Sequence, residues 1–496
     1  MPRHQWLLPV AAITAITAEV ASAQPRIDTL SLRASTFFLA NDVLRGRATG
    51  TPGADIAAAY IASECRALGL APAGFDYIQA VPLVESTVGT ATGFSVRRPM
   101  HVARFSYPAD FTPDVGARGT LVDFAGPAVF VGPASELRSE SLRGLDLQGA
   151  VAVAEGARVS TDAAQLLKEH GAVGIVHLLG DESSYGLYRR SRGGTRLYHA
   201  DSAIRSSFLP AIPSILAGPR LSYAVVSGVA LGRGEPLVPG PLGSELAFEI
   251  DLSSRAFDAA NVACLLPGSD PAASDTLIAF TAHYDHLGVG VPDSSGDAIY
   301  NGFSDNAAGV AMLLAIAQAM AQDSSSHLRH SVLFLFLVGE ERGLLGSDYY
   351  VSNPVWPLER TEATINIDAG APPGLLVSWR LAGVDSSGLG GLAVAVAADR
   401  GWSVSTSPPR ANSDYYPFIR EGVPAIFVIP GAEPYEGLTA DSTAALRRKW
   451  DYYHRPGDHW TEDFPFAGMA RYAEYAYLIA AAVDTSSAPM PRPIRH

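Results

Sequence analysis

Histidines and carboxylates recur in this chain at the ends of short apolar runs. Leu277 to Thr281 leads to His283, Asp285 and His286, Ile299 to Ser304 to Asp305, Val332 to Val338 to Glu340 and Glu341, and Thr364 to Ile367 to Asp368. His454 lies farther on, in an aromatic stretch with Trp450, Tyr452 and Tyr453. One His or Asp at a strand end is usually a cap or a satisfied polar group. Four arrivals at one sheet edge point to metal chemistry. Imidazole nitrogen and carboxylate oxygen without thiolate suit a catalytic zinc or a related divalent ion with open coordination positions. Two histidines and three carboxylates exceed the needs of one tetrahedral ion and match a pair of ions about 3.5–4 Å apart sharing a carboxylate. Asp305 is the expected bridge, because it precedes an apolar helix whose N-terminal end favours negative charge. Glu340 and Glu341 are adjacent, so their side chains diverge. One can coordinate metal while the other takes a proton from an activated water and passes it to a leaving amine. Asp285, two residues past His283, is expected to orient that imidazole, and His286 is expected to support the site rather than ligate.

These side chains need elements to carry them. From Phe248 onward the chain alternates strand-like and helical runs: Leu277 to Thr281, Ala307 to Gln322, Val332 to Val338, Thr364 to Ile367, Leu389 to Asp399, Ala425 to Ile429 and Gly468 to Val483. This predicts an α/β fold with a mixed central sheet covered by helices on both faces. In such sheets chemistry collects outside the carboxyl ends of the strands. Upstream, Ala54 to Leu68 has helical spacing and stops at Gly69. Between Pro99 and Pro241 the texture changes to short strand-like runs such as Ala128 to Val131, Ala150 to Ala154 and Gly174 to Leu178, with Gly232 to Gly243 as a return linker.

The runs Ala282-His283-Tyr284-Asp285-His286-Leu287-Gly288, Tyr300 to Gly309, Gly339-Glu340-Glu341-Arg342-Gly343-Leu344-Leu345-Gly346-Ser347, Asn366-Ile367-Asp368 and Tyr453-His454-Arg455-Pro456-Gly457-Asp458, in this order, resemble the co-catalytic zinc peptidases of the M28 aminopeptidase type. The resemblance covers roughly residues 250 to 485 and reaches upstream to Leu44-Arg45-Gly46-Arg47 and Gly69-Leu70. It implies two zinc ions per chain, one on His283 and Asp368, the other on Glu341 and His454, with Asp305 bridging them. It also implies Glu340 as general base and acid, Asp285 as the partner of His283, and Tyr453 as a donor to the oxyanion, a role that suits a phenol beside a developing alkoxide. A packed aromatic is the alternative for Tyr453. Leu147 to Val153 and Lys168 to Val176 resemble a mostly β protease-associated domain, a module thought to shape substrate access. Two departures bear on specificity: Tyr415 comes after Ser413-Asp414 where many relatives carry His, and Ala369-Gly370 come after Asp368 where Met or Val is common.

The 496 residues include 36 Lys plus Arg and 50 Asp plus Glu, a net charge of −14 that disfavours nucleic acid as a partner. At 48% apolar and 17% charged the composition is that of a folded protein. Two cysteines, Cys65 and Cys264, exclude a disulfide scaffold and an all-cysteine zinc site, and leave open either one bridge or two buried thiols. Met1 to His4, the apolar run Trp6 to Val20 and Ala21-Ser22-Ala23 have the three parts of a secretory signal, which predicts export to the periplasm or the medium. The expected organisation is a signal peptide over 1–23, a discontinuous zinc peptidase domain over 24–98 and 245–485, a protease-associated insert over 99–244 and a tail over 486–496. No membrane span is expected in the mature chain, and the sequence carries no signature of a particular oligomeric state.

The first reading is an exported di-zinc metallopeptidase that releases N-terminal residues from peptides and proteins, a water between the ions attacking the scissile carbonyl. The second keeps the metals but takes a C-terminal residue or a dipeptide, with Arg342, Arg380 or Arg410 binding the carboxylate. A third, a receptor-like binding protein on an inactive scaffold, is opposed by the presence of all five metal positions and Glu340. Glutaminyl cyclase chemistry on the same fold would require a single metal.

Overall fold

The computed structural model describes residues 26–113, 122–156, 159–191, 194–207, 212–227, 237–384, 387–486 and 488–495. The expected signal over 1–23 and the first residues of the expected return linker lie outside them.

Nine strands form one path in the larger sheet: β1 (Ile78–Val88), β2 (Thr195–His199), β3 (Leu252–Leu266), β4 (Leu277–His283), β5 (Ser331–Leu337), β6 (Thr361–Ile367), β7 (Ser378–Ala382), β8 (Ser403–Ser407) and β9 (Ala425–Pro430). Their spatial order is β8-β7-β9-β6-β4-β5-β3-β1-β2, and a tenth short strand, Ala71–Pro72, pairs with β3. The centre is parallel, with β4 beside β5 and β6, and β6 beside β9. The β7–β9, β3–β5, β1–β3 and β1–β2 pairs are antiparallel. Every residue of β4 and β5 is buried, as expected of strands covered on both faces.

Alternate residues feed two cores. Val332, Phe334 and Phe336 join the core under α1 (Thr29–Leu39), α2 (Pro52–Ala67), α3 (Ala308–Gln322), α5 (Leu389–Asp399) and α7 (Ala467–Asp484). Leu333, Leu335 and Leu337 join the other, under α4 (Leu345–Ser352) and α6 (Tyr415–Arg420). This is the period of two that a pleated strand imposes. The helical run Phe303–Gln322 is apolar enough over 20 residues to cross a bilayer, yet 83% of its most apolar window is buried inside the protein. A helix apolar all round belongs in such an interior.

The second sheet has eight strands, in the order His101–Ser106, Gly93–Arg98, Gly240–Glu249, Phe124–Pro133, Val151–Glu155, Gly174–Leu178, Ser214–Ala217 and Phe111–Pro113. It has cores of its own. The boundaries expected at 98/99 and 244/245 need correction. Gly93–Arg98 already pairs with His101–Ser106 and Gly240–Glu249, so Pro99 marks a hairpin turn inside this unit. Gly243 and Ser244 lie where the register against Phe124–Pro133 shifts, between Pro241 and Glu245. The glycine there marks a bulge in a strand that runs on to Glu249. Thr195–His199, expected within the insert, adds to the edge of the larger sheet beside β1.

Cys65 of α2 and Cys264 of β3 form a disulfide across a sequence separation of 199 residues. A bridge closing so long a loop restricts the unfolded chain strongly. Replacing both cysteines by alanine is expected to lower unfolding stability by about 2–5 kcal/mol, read from denaturant midpoints; an unchanged midpoint would show that the bridge contributes nothing.

Candidate metal centre

Three parallel strands deliver site residues to one edge. β4 ends on His283, Asp368 comes directly after the last residue of β6, and Glu340 and Glu341 lie past β5 after Val338 and Gly339. Asp305 arrives by another route. The strand expected over 299–304 is reduced to Ile299–Tyr300, paired only with Gly288–Val289 in a separate ribbon. Gly302 then turns the chain at φ +58, where a Cβ would lie 2.3 Å from the Asp305 carbonyl oxygen. A wide turn over Phe303–Ala307 leads into α3. The helix-end argument for Asp305 is also corrected, because the Asn306 side chain accepts the Gly309 N–H (2.9 Å) while Asp305 faces the site.

Two groups of donors converge there, and they share Asp305. In the first, His283 Nε2 lies 2.8 Å from Asp368 Oδ1 and 3.1 Å from Asp305 Oδ1. In the second, His454 Nε2 lies 2.9 Å from Asp305 Oδ2 and 3.3 Å from Glu341 Oε2. His286 joins this second group, its Nδ1 2.6 Å from Glu341 Oε1, so the supporting role expected of it becomes direct contact with the Glu341 carboxylate. His286 Nδ1, Glu341 Oε1 and His454 Nε2 are buried and close to one another but have no aligned hydrogen-bond partner among the described residues. Buried polar atoms are normally paired. Imidazoles and carboxylates converging in this way are a donor set for zinc or a similar divalent ion.

The expected partnership of Asp285 with His283 takes a different form. The His283 Nδ1 contacts the main-chain carbonyl of Asp285 at 3.0 Å, and the Asp285 carboxylate is farther, at 3.7 Å. That carboxylate instead accepts from the Thr49 hydroxyl (2.8 Å) and the Glu340 amide (3.2 Å), so it fixes the start of the glutamate pair. Burial pushes the Glu340 carboxyl well above its ordinary range, His283 opposing and Asp368 and Glu341 adding to the rise. Burial would also raise Asp305, but contacts with His283 and His454 hold it low. His454 is pushed up to about 10 against its own burial by Asp305 and Glu341. The field of these carboxylates calls for a cation.

Several side chains that hold the site were not anticipated from sequence. Arg47, fully buried, donates from Nε to the Tyr284 carbonyl (2.8 Å), from Nη1 to Asn301 (2.6 Å) and Leu39, and from Nη2 to Gly302 (3.0 Å). It thereby ties the His283–Asp285 turn to the approach to Asp305. Burial lowers it to about 10, against the attraction of Asp285, Asp458 and Asp305. Asp458 accepts the Ser304 amide (3.0 Å) and the Asp305 amide (3.3 Å). Asn366 donates to Ser413 (2.6 Å), which donates to Asp368 Oδ2. An arginine in a polar loop reads as exposed; the run Leu44-Arg45-Gly46-Arg47 was the signal for Arg47, and its buried neighbours reveal the role. For Asp458 the signal was its place in the run from Tyr453 that carries His454.

A cleft of about 530 Å³ opens on the centre, with Asp305, Glu340, Asp368 and Tyr453 in its lining. Tyr453 stacks on the His454 ring, centroids 3.9 Å apart, and is 64% exposed. It is therefore a wall of the cleft rather than a packed core aromatic. Tyr415 is buried, and its hydroxyl meets Asn412, another lining residue. Of Arg342, Arg380 and Arg410, Arg380 is the one that lines the cleft.

Residues 261–478 match the sequence model of peptidase family M28. The chain is similar to probable leucine aminopeptidase 2 of Aspergillus oryzae, 26% identical over 289 residues that cover 54% of each chain. The namesake from Aspergillus fumigatus is 27% identical over 230 residues, 43% of this chain and 42% of that one. The chain thus spans about half the length of the relatives it matches. An aminopeptidase from Aneurinibacillus sp. strain AM-1 shares the fold at a TM-score of 0.56 and 16% identity, covering 94% of this chain and 95% of the other. A zinc aminopeptidase from Bacillus subtilis does so at 0.50 and 16%, covering 93% and 95%.

Within this centre, replacing Arg47 by leucine strands four carbonyls and removes a buried cation. The expected loss is about 3–5 kcal/mol of stability, with only partial recovery in Arg47→Lys, which restores charge but not the fork. Denaturant unfolding of the three proteins checks this, and equal midpoints would refute it.

Proposed function

We propose that this chain is an exported zinc-dependent aminopeptidase that binds two zinc ions and releases N-terminal residues from peptides and proteins. The observation that carries the reading is the pair of donor groups meeting at Asp305, with Glu340 beside them on an open cleft. His283, Asp305 and Asp368 would hold one ion, and Asp305, Glu341 and His454 the other, with His286 against the Glu341 carboxylate. Zinc bound there would polarise the scissile carbonyl and make water a stronger nucleophile at neutral pH. Glu340, on the cleft wall, accepts the proton of the attacking water at its carboxylate and returns it to the leaving amine. The Tyr453 hydroxyl supplies a donor to the oxygen on which charge develops. The carboxylates lining the cleft favour a substrate's free amino terminus over a blocked one.

The names of the Aspergillus relatives and of the two solved aminopeptidases support the exopeptidase assignment. The Cys65–Cys264 bridge supports export, since disulfides persist in oxidising compartments. The eight-stranded unit is read as the protease-associated insert. Its described residues supply nothing to either donor group or to the cleft lining, and no chemical step is assigned to it.

The test is an assay of the zinc-loaded protein and Glu340→Gln on leucine p-nitroanilide and its N-acetyl derivative. The free-amino substrate should be cleaved and the blocked one spared, and the variant should lose on the order of 10²–10⁴-fold in kcat while keeping its metal. Chelation should abolish turnover, and added zinc should restore it. Equal cleavage of the blocked substrate, or activity that survives metal removal, would contradict the proposal.

A further inference from the structure

Arg380 is the one exposed position of β7, a strand otherwise buried from Ser378 to Ala382. Its registered partner across the sheet is Ile429 of β9. Ile367 of β6 pairs with Val428, so the next residue, Asp368, comes level with Ile429. Asp368, Ile429 and Arg380 thus stand in one row across three neighbouring strands. Residues level with one another across a sheet point to the same face. Two strand spacings separate the ends of the row by roughly 10 Å. The cleft lining contains all three, with Phe427, Tyr435 and Pro372 among their neighbours. The wall therefore runs from a metal-site carboxylate, over apolar side chains, to a guanidinium.

Among the described residues no ion pair or hydrogen bond is found for the Arg380 side chain. The other arginine of the cleft, Arg447, is differently placed. It donates to the carbonyls of Gly431, Ala432 and Glu433 at 2.9–3.0 Å and lies over the Tyr435 ring. Arg447 is spent on structure, whereas Arg380 lines the cleft without such bonds. An unpaired surface cation adds little to folding, but a guanidinium matches a carboxylate in two-pronged geometry.

Building on the proposed peptidase reading, we propose that Arg380 determines specificity by binding a carboxylate of the substrate. An extended peptide advances at most about 3.6 Å per residue, so a carboxylate within one or two residues of the scissile bond fits the span once the arginine side chain reaches inward. Two sources share this chemistry: the acidic side chain of an N-terminal Glu or Asp, and the free C-terminus of a dipeptide. In the first case the methylenes lie on Ile429 and Phe427. In the second the cleft favours short peptides over the ends of long ones.

Wild type, Arg380→Met and Arg380→Lys are compared on two substrate pairs, glutamate against leucine p-nitroanilide and leucyl-glycine against leucyl-glycinamide. In Arg380→Met the kcat/KM ratio of the carboxylate-bearing member to its neutral counterpart is expected to fall about tenfold to a hundredfold in at least one pair, with part of the loss recovered in Arg380→Lys. A fall confined to the first pair assigns the side-chain source, and one confined to the second assigns the C-terminus. Ratios unchanged in both pairs overturn the proposal while leaving the peptidase reading intact. Calorimetric titration of L-glutamate and L-leucinamide into the same proteins separates the two claims. Glutamate binding that weakens about tenfold in Arg380→Met, in a protein that turns over none of the four substrates, upholds the carboxylate site and refutes the peptidase reading. Glutamate binding equal in wild type and Arg380→Met refutes the side-chain source, and with an unchanged leucyl-glycine ratio it refutes the carboxylate site.

Discussion

Carboxylates that share a buried space must be compensated, and the centre of this protein is arranged around that requirement. Asp285, Asp305, Asp414 and Asp458 are each less than a tenth exposed, and Glu340, Glu341 and Asp368 face the same space. An uncompensated carboxylate costs several kcal/mol on leaving water. Part of the compensation is a fixed charge, Arg47. Part comes from donors: the amides of Ser304, Asp305 and Glu340, and the hydroxyls of Thr49, Ser347 and Ser413. The histidines face the rest, and their converging nitrogens and oxygens leave places suited to divalent cations. Asp305 occupies the middle, with one oxygen toward each donor group.

The fold is the means of holding these groups against their repulsion. β4, β5 and β6 are buried on both faces, so their ends are fixed by two packed cores, and side chains at those ends inherit the precision. The residues off the sheet need other anchors. Arg47 and Asp458 grip the approach to Asp305 from opposite sides in sequence. His454 holds a left-handed backbone conformation at φ +56, which is uncommon for a residue with a Cβ and typical of functional turns.

Much of this was legible in the sequence because buried parallel strands are apolar runs, and a polar residue just past the end of such a run is held where the fold can use it. His283, Glu340, Glu341 and Asp368 stand out on that basis, and α5 has the limits expected, Leu389–Asp399. Most of the misreadings turn on contacts between distant residues. Pro99 and Gly243 mark a hairpin turn and a bulge, not domain edges, and the pairing of Gly240–Glu249 with strands more than a hundred residues away places both inside the second sheet. Ile299 to Ser304 looks like a strand, but Gly302 folds it out of the sheet. The reach of His286 to Glu341 depends on two loops meeting, as does the burial of Arg47 beneath Tyr284 and Asn301. Cys65 and Cys264 were individually compatible with free thiols, and only the seating of α2 beside β3 pairs them.

The central claim is that the two donor groups are two metal positions joined by Asp305. Anomalous scattering at the zinc edge, from crystals of the zinc-loaded protein, tests it most directly. The account predicts two peaks beside the Asp305 carboxylate, one next to His283 and Asp368 and the other next to Glu341 and His454. A single peak, or peaks that leave Asp305 untouched, would contradict it.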